Sequence, residues 1–407
     1  MKNNILDIEG QVNTCTSCQL CYAICPTKAI SIKLDNEGFY RPIINENVCV
    51  SCGKCKEICY KYDTNIKISD VNQGVYAAKS KNKKVLESST SGGVGTHLAE
   101  SLLAAGYKII GVTYNYKNNR AENIILNNFN EIYKIQGSKY IQSYSAEVFR
   151  KFIDDLPNSK YAIFGLPCQI YALDKYLNKI NRRNEFVLID LFCHGCPSFI
   201  LWDKYLKYIK SKKELSDINR IEFRSKKRGW HQYILYISDK NGKTYISKNE
   251  HEGFYRLFFS DKILNDSCYN CKLRSTLNYT DIRLGDFWGN KYDFDTEGVS
   301  AVVSISFKGK EIFNKIGDNL LVKKESLEDV VSAQSYGKKY IVNREKKNKI
   351  LKLLVESDDF KKILKNYHKT LSYKERVKYH LKKIYYLLPK NLRNFLRKIY
   401  HKLKKGI

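Results

Sequence analysis

Eight cysteines near the start of the chain could hold metal, form disulfide bonds or do neither. They repeat the pattern C-x-x-C-x-x-C-x-x-x-C, first at Cys15, Cys18, Cys21 and Cys25 and then at Cys49, Cys52, Cys55 and Cys59. Two-residue gaps allow three thiolates of one tight loop to reach three irons on one face of a four-iron cubane. The fourth thiolate must then come from elsewhere in the chain.

In two-cluster ferredoxins the fourth cysteine of each run ligates the cluster of the other run. The sequence therefore predicts two 4Fe-4S clusters, held by Cys15, Cys18, Cys21 and Cys59 and by Cys49, Cys52, Cys55 and Cys25. Between the runs, two short strands are predicted around the turn at Asn36, Glu37 and Gly38. Residues 1–68 are thus expected to form a ferredoxin domain of the bacterial type. Tyr60 follows the second run where the first run has Pro26, which alters only the local turn.

Zinc and disulfide bonds are the alternatives for these cysteines. Structural zinc usually takes two cysteine pairs. Disulfide bonds are rare in the reducing cytoplasm. The N-terminus, MKNNILDIEG, lacks the apolar stretch of a signal peptide. The regular spacing therefore favours the two clusters.

Composition predicts a soluble cytoplasmic protein of two to four domains. The chain has 407 residues, of which 43% are hydrophobic, and it has a formal net charge of +29. No apolar run approaches the roughly 18 to 20 residues that a membrane-spanning helix needs. A chain with this positive charge attracts anionic cofactors, membranes or nucleic acid, and the charge alone does not indicate which of these it binds.

A glycine-rich loop precedes the first helix predicted after the ferredoxin domain. Its residues 91–95 read SGGVG, and a helix is expected from Thr96 to Ala105, ended by Gly106 and followed by a strand from Lys108 to Thr113. Backbone N–H groups at a helix N-terminus can bind a phosphate. The glycine spacing is not that of a dinucleotide-binding fingerprint, and a tight turn is the commoner role of such a loop.

Two strand–turn–helix units follow, and both carry cysteines in the turn. The first, KYAIFGLPCQIYALDKYL, contains Cys168, and the second, EFVLIDLFCHGCPSFILWDKYLKYI, contains Cys193, His194 and Cys196. Ligands of open α/β sheets gather at the carboxyl ends of the strands, where these turns are expected to lie. A helix N-terminus there would stabilise a thiolate.

Six short motifs in this order carry a resemblance: SGG, FGLPCQ, CHGCPS, FRSKKRGW, CYNC and DIRLGDFWG. Over roughly residues 75–320 the chain resembles the coenzyme F-420 hydrogenase/dehydrogenase beta-subunit family, whose members often carry an N-terminal two-cluster ferredoxin domain. The resemblance implies an FAD-containing oxidoreductase that passes electrons between iron–sulfur clusters and a hydride-accepting substrate or a deazaflavin-like coenzyme. It also implies a mixed α+β or α/β body that binds the flavin. A flavin fits the chemistry, because it can gather single electrons from clusters into a hydride.

The resemblance also implies site residues in the body. The SGG loop becomes the expected cradle for the FAD phosphates, with cofactor contacts expected from Ser91, Gly92, Gly93, Gly95, Pro167, Lys226 and Trp230. Lys227 and Arg228 are further candidates for anionic cofactor groups, the alternative being a solvated strand end. His194 is expected to be a structural turn residue, and no general acid is predicted.

Five cysteines outside the ferredoxin domain suggest a third metal site. The resemblance implies that Cys168, Cys193, Cys268 and Cys271 meet and ligate a third 4Fe-4S cluster near the flavin, with Cys196 to spare. The alternative is that these thiols are buried as small apolar groups, as free cysteines commonly are.

The C-terminal segment is basic and amphipathic. Residues 371–407 hold twelve Lys or Arg and one acidic residue, Glu375. Apolar residues share one helical face before Pro389, at Val377, Leu381, Ile384 and Leu388, and another after it, at Leu392, Phe395, Leu396, Ile399 and Leu403. Two such helices fit an anionic membrane surface at the inner membrane face, or a partner protein. The alternative is that the apolar stripe packs on the core. Nucleic-acid binding is not expected, since no recognition motif accompanies the charge.

The sequence thus predicts four parts. These are the ferredoxin domain at 1–68, a domain with the SGG loop at 69–150, a flavin and iron–sulfur domain at 151–340 and a helical tail at 341–407. Three functions are compatible with them. The chain is an oxidoreductase acting with a redox partner protein or a small-molecule acceptor, an electron-transfer subunit, or an accessory protein of cell-surface polysaccharide synthesis.

Overall fold

The computed structural model of the protein describes residues 3–248 and 253–389, together with residues 392, 395, 396 and 399. The N-terminal part contains two short helices and one hairpin, which are α1 (Leu20–Ile24), β1 (Ile30–Leu34), β2 (Tyr40–Ile44) and α2 (Lys54–Glu57). β1 pairs antiparallel with β2, with Leu34 opposite Tyr40. Gly38 takes the positive φ of +81° that the turn requires. The hairpin predicted between the cysteine runs is confirmed.

The remainder of the described chain alternates strands and helices before it ends in helices. The strands are β3 (Gly74–Ser80), β4 (Lys108–Asn115), β5 (Arg120–Leu126), β6 (Ser143–Tyr144), β7 (Tyr161–Phe164), β8 (Val187–Leu191), β9 (Ile218–Ser225), β10 (Ile234–Asp239), β11 (Thr244–Ile246), β12 (Ile282–Asp286), β13 (Ser300–Ser304) and β14 (Leu320–Lys324). The helices are α3 (Lys83–Ser88), α4 (Val94–Ala104), α5 (Ala146–Asp155), α6 (Pro167–Lys179), α7 (Phe199–Lys213), α8 (Gly253–Phe258), α9 (Asp266–Tyr269), α10 (Phe307–Lys315), α11 (Leu327–Val331), α12 (Arg344–Glu356), α13 (Phe360–Lys369) and α14 (Tyr373–Leu387).

One nine-stranded mixed sheet organises this body. Its strand order is β14-β3-β13-β12-β8-β7-β4-β5-β6. The four central strands β12, β8, β7 and β4 run parallel, whereas β3, β13 and β14 pair antiparallel at one side. The β7–α6–β8 unit is the strand–turn–helix pattern expected from the sequence. It places Cys168 and Cys193 beyond the carboxyl ends of two adjacent parallel strands.

A second, smaller sheet lies beside the first. Its order is β11-β10-β9, and all its pairings are antiparallel. Trp202 of α7, Phe223 of β9 and Phe254 of α8 meet there in a buried aromatic cluster. Helices α12 and α13 close this core with Leu354 and Ile363.

The ferredoxin part shares a hydrophobic core with the body. Leu20 and Ile58 are buried in the same cluster as Phe149 and Ile163. Gln19 fixes the orientation, because its amide donates to the Ser143 carbonyl at 2.8 Å and its Oε1 accepts from two backbone N–H groups at the start of α5. The expected architecture of a ferredoxin segment, a mixed α/β body and a helical tail is confirmed. Within the described residues, none of the helices has the length and apolarity of a membrane span.

Candidate metal and cofactor site

The thiols of the ferredoxin domain surround two neighbouring cavities. Cys15, Cys18, Cys21 and Cys59 line the first, and Cys25, Cys49, Cys52 and Cys55 line the second. Each cavity takes three thiols from one run and the fourth from the other run, which is the grouping expected for two clusters. Cys55 also reaches the wall of the first cavity, so the two cavities adjoin. Their ligation of iron stays a prediction.

The backbone of both loops has the same unusual form. Ser17 and Gln19 in the first run, and Ser51 and Gly53 at the corresponding places of the second, all have φ between +52° and +76°. Left-handed conformations cost about 1 kcal/mol each for residues other than glycine, so their repetition indicates that the loop must wrap closely around something. The Ser17 N–H already donates to Cys15 Sγ at 3.4 Å.

The division of the thiols bears on the choice between zinc and iron–sulfur clusters. Structural zinc usually takes two cysteine pairs. Each cavity here takes three thiols from one run and one from the other, which is the ligand set expected of two four-iron cubanes. Within residues 3–248 and 253–389, no three His, Cys, Asp or Glu side chains lie close enough to hold a single metal ion.

A third cavity brings together all five cysteines of the body. Its walls include Cys168 from the first turn of α6, Cys193 and Cys196 from the loop after β8, and Cys268 and Cys271 from α9 and the residues after it. The Cys196 N–H donates to Cys268 Sγ at 3.4 Å. The structure thus joins the four expected ligands and adds Cys196 to the same wall. A third cluster remains a prediction.

Two polar side chains on this third cavity make it suitable for an anion. Gln142 is 4% exposed, and its Oε1 accepts from the Tyr40 N–H at 3.0 Å. Its Nε2 has no oxygen or nitrogen partner and interacts with the Cys196 thiol on the same wall, which is a weak acceptor. An unpaired buried donor costs about 1–3 kcal/mol, and a stronger acceptor bound in the cavity would recover part of this cost. The buried guanidinium of Arg274 also lines the cavity, held by the carbonyls of Lys338 and His194. An iron–sulfur cluster with four thiolates carries the negative charge and the sulfur acceptors that these groups require.

Burial makes the free thiols of this cavity poor anions. It raises the pKa of Cys193 to about 12, with the charge of Cys268 adding to the effect. Burial, followed by the neighbouring Cys18, raises the pKa of Cys168 well above its ordinary range. Such thiols become thiolates only when a metal displaces their protons.

The three cavities form a row. Cys55 lies on the walls of both ferredoxin cavities. Thr16 and Ser17 lie on the walls of both the Cys15 cavity and the third cavity. Arg41 braces this second junction by donating to the Cys15 carbonyl at 2.9 Å and to Ser17 Oγ at 3.3 Å. The row runs from the ferredoxin hairpin to the carboxyl edge of the main sheet.

The SGG loop lies against β3 and β13 of the main sheet, at Ala78 and Ser300. A Cβ on Gly92 would come within 2.2 Å of the Ala78 carbonyl oxygen and 2.6 Å of the Ser300 nitrogen. Gly92 donates its N–H to Ser300 Oγ at 2.9 Å, and its carbonyl accepts from Ser80 at 2.7 Å. The structure therefore gives this glycine a packing role between two strands. Gly93 ends the loop with a φ of +84° as the N-cap of α4.

Lys226 braces the same loop. Its Nζ donates to the Ser91 carbonyl at 2.6 Å and to the Leu86 carbonyl at 2.7 Å. Burial lowers the pKa of this amine to about 8. A cation with incomplete charge compensation beside a helix N-terminus is a suitable partner for phosphate. FAD binding there stays a prediction.

The other predicted cofactor residues fall in different places. Trp230 is buried and stacks on Trp288 with ring centroids 5.0 Å apart. Pro167 lines the third cysteine cavity instead of the SGG loop. Lys227 and Arg228 are exposed, as the alternative of a solvated strand end expected.

His194 is held in a network beside the third cavity. Its Nε2 lies 2.7 Å from Asp261 Oδ1, and its Nδ1 lies 3.1 Å from the Tyr340 hydroxyl. These contacts agree with the structural role expected of it.

Sequence reasoning missed Gln142, Arg274 and Arg41. Gln142 lies in the segment YIQSYS, which carries no recognisable motif. Arg274 had a weak signal, as one of two cations, with Lys272, in the three residues after the second cysteine of the C-x-x-C pair.

Comparisons with known proteins match three family models to the chain. Residues 14–61 match the family model described as a 4Fe-4S dicluster domain. Residues 75–150 match the N-terminal model, and residues 158–330 the C-terminal model, of the coenzyme F420 hydrogenase/dehydrogenase beta subunit. A search of curated proteins gave no match. A chain from the F420-reducing [NiFe] hydrogenase complex of Methanosarcina barkeri is similar, with 18% sequence identity and a TM-score of 0.46 over 75% of this chain and 95% of that chain.

Proposed function

The chain belongs to the coenzyme F420 hydrogenase/dehydrogenase beta-subunit family, and we propose that it is an iron–sulfur flavoprotein that moves electrons between 4Fe-4S clusters and FAD. From FAD the electrons go on to a hydride-accepting substrate or a deazaflavin-like coenzyme. The clusters would supply one-electron transfer, and the flavin would exchange one or two electrons.

The observation that carries this proposal is the row of three thiol-lined cavities. Electron carriers must be close together to exchange electrons, and adjoining cavities with shared walls provide that proximity. Cys15, Cys18, Cys21 and Cys59 would hold the central cluster. Cys25, Cys49, Cys52 and Cys55 would hold one neighbour, and Cys168, Cys193, Cys268 and Cys271 the other. The inner end of the row lies at the sheet edge where α/β proteins bind ligands.

The first test is the iron, sulfide and flavin content of protein purified without oxygen. About twelve irons and one FAD per chain would support three clusters feeding a flavin, since each cubane holds four irons. About eight irons with FAD would remove the third cluster. Iron without flavin, even after FAD is added, would leave an electron-transfer subunit that relays electrons to a partner.

Activity with an artificial electron donor separates the remaining alternatives. Turnover of the purified protein would support an oxidoreductase that acts alone, whereas turnover only with an added subunit would support a relay. If the Cys52→Ser variant, which lacks a predicted cluster ligand, still performs the protein's function in cells, electron transfer is not that function. Such a result would favour an accessory role in cell-surface polysaccharide synthesis.

The amine of Lys226 gives FAD binding an expected pH dependence. The pKa of Lys226 is lowered to about 8 by burial, and a bound phosphate would raise it, so binding takes up a proton above pH 8. FAD affinity should be highest below pH 8 and weaken by up to about tenfold per pH unit above it. Flavin fluorescence titrations would measure this. In Lys226→Met the profile should be flat and the affinity lower, whereas Lys227→Met, at the exposed neighbour, should keep the slope. An unchanged slope in Lys226→Met would contradict a phosphate contact.

The helical tail supports a proposed contact with an anionic membrane surface. Val377, Leu381 and Ile384 of α14 are 39%, 62% and 58% exposed, so these three residues of the stripe do not pack on the core, whereas Leu388, just after the helix, is half-buried. Glu375 and Tyr379, which contact Lys262 and Arg256 of the body, lie on the opposite face of the helix. An exposed apolar stripe on a basic helix suits the boundary of an anionic lipid layer.

The described apolar residues after Pro389 are also exposed. Leu392, Phe395, Leu396 and Ile399 are helical and exposed, and Leu403 lies outside the described residues. The segment thus offers a second apolar set for the same surface.

Replacing Leu381 and Ile384 by serine should weaken binding to vesicles that contain phosphatidylglycerol. Each aliphatic side chain contributes about 1.5–3 kcal/mol when it leaves water, so the affinity should fall at least tenfold. Vesicle sedimentation measures the loss, and Ile341→Ser, at a position 100% exposed outside the helix, is the matched control. Equal binding of both variants, or equal binding to neutral phosphatidylcholine vesicles, would contradict the membrane contact.

A further inference from the structure

We propose that an acidic one-electron carrier protein docks on the surface around Cys52 and exchanges electrons with the row of clusters there. This surface, the Cys52 face, consists of residues 26–28 and 48–54. The inference rests on the proposed electron-transfer function and names the partner and its place of contact.

Exposure distinguishes this end of the row. Cys52 is exposed, whereas the other twelve of the thirteen cysteines are buried or half-buried. Val48 and Val50, close to it in sequence, are 41% and 64% exposed, so apolar side chains are also exposed on this face. Efficient electron transfer requires a partner to approach a cluster closely, and Cys52 is the predicted ligand that is most open to solvent.

The two cysteine runs have the same spacing, but their second cysteines differ in exposure to solvent. Cys18 is the second cysteine of the first run, as Cys52 is of the second. Cys18 packs against the same buried core as Cys168 and Cys271. Equivalent positions of the two runs therefore face opposite ways, one toward the interior of the protein and the other toward solvent. The row has an inner end at the body and an outer end at the Cys52 face.

Charge indicates the kind of partner. Residues 26–28 and 48–54 include Lys28 and Lys54, both exposed, and no Asp or Glu. Three acidic residues adjoin the face: Glu57 and Asp7 are paired with Lys179 and Lys56, and Glu46 is exposed two residues before Val48. A face with two cations among apolar groups complements an acidic protein surface, which steers association and gives a rate that falls with salt.

The size of the face favours a transient encounter. Two short segments offer less area than a stable complex buries, and weak redox encounters bury less than about 1,200 Å². A small acidic one-electron carrier of the ferredoxin type fits both the charge and the area.

Stopped-flow reduction of the full-length holoprotein by a reduced acidic two-cluster 4Fe-4S ferredoxin tests the proposal. At low ionic strength Lys54→Glu and Val50→Glu should each lower the second-order rate constant at least tenfold, and Lys28→Glu should lower it as well. Added salt should bring the lysine variants and the unaltered protein to similar rates. The control variant is Val71→Glu, at a position 71% exposed outside the face, and it should keep the original rate.

Dithionite provides the second readout, because a small reductant needs no docking surface. Normal iron content and normal reduction by dithionite, with ferredoxin rates unaffected by Lys54→Glu and Val50→Glu, would overturn the docking face and leave the proposed function standing. Failure of dithionite to reduce any cluster in the unaltered protein would overturn both. A complex that co-elutes stably through the Cys52 face would replace the transient carrier with a permanent subunit and so overturn the proposal.

Discussion

Replacing Cys168 by serine is expected to lower the iron content from about twelve to about eight atoms per chain. Cys168 is the predicted ligand that the β7–α6 turn contributes to the third cavity, which Cys193, Cys268 and Cys271 also line. A cubane with three thiolates in a buried site loses iron readily, because the serine hydroxyl is a far weaker ligand. Reduction of the flavin by electrons from the ferredoxin domain should fall by at least about a hundredfold, since the row then lacks its inner member. Iron analysis and stopped-flow flavin absorbance measure the two effects.

The matched control for this prediction is Cys196→Ser. Cys196 is buried on the same cavity wall, and its backbone N–H, which the substitution retains, donates to Cys268 Sγ. If Cys196 is the spare thiol, its replacement should leave the iron content near twelve. Loss of four irons in Cys196→Ser but none in Cys168→Ser would show that the expected ligand set is wrong.

Patterns among residues close in sequence were sufficient to predict the two cysteine runs and the β7–α6–β8 unit. The repeated C-x-x-C spacing predicted two thiol sets and the hairpin between them, because both depend on residues close in sequence. The β7–α6–β8 unit followed from an apolar strand, Pro167 at the first turn of a helix and the helical periodicity after it. The exact bounds differed little, since β4 extends to Asn115 where the prediction ended at Thr113.

The contacts between distant segments were not accessible from the sequence. The role of Gln142 depends on the Tyr40 N–H, 102 residues away along the chain, which binds one end of its amide and leaves the other in the cavity. Neither the sequence around Gln142 nor the sequence around Tyr40 indicates that the two residues are in contact. Likewise, the division of the chain at 150/151 stays a prediction, while a single sheet takes strands from both sides of that point.

The glycines of the SGG loop could serve two purposes, which are the binding of a phosphate and packing against the sheet. The sequence suggested a phosphate cradle, because glycines at a helix N-terminus allow close approach to an anion. The structure shows that Gly92 also allows close approach between the loop and two strands. Substitutions at the two glycines that differ in their surroundings can separate packing from cofactor binding.

Gly92→Ala is expected to destabilise the main sheet by about 3 kcal/mol. The new methyl group would meet backbone atoms of Ala78 in β3 and Ser300 in β13, and paired strands cannot move apart without losing ladder hydrogen bonds. Hydrogen exchange at the amides of β3 and β13 would show the loss as faster opening. Exchange as slow as in the unaltered protein would mean that the loop does not pack on the sheet in this way.

Gly95→Ala should have the opposite effect on stability. Gly95 is the second residue of α4, and its added Cβ would meet Leu284 Cδ1 at 3.8 Å and Phe164 Cε1 at 4.0 Å, which are ordinary contacts. Alanine is favoured over glycine in a helix by up to about 1 kcal/mol, so the variant should be slightly more stable. If the loop binds the FAD phosphates, this stable variant should nevertheless bind FAD less tightly, because the methyl group limits approach to the backbone. Unchanged FAD affinity in a stabilised Gly95→Ala protein would assign the loop to packing alone.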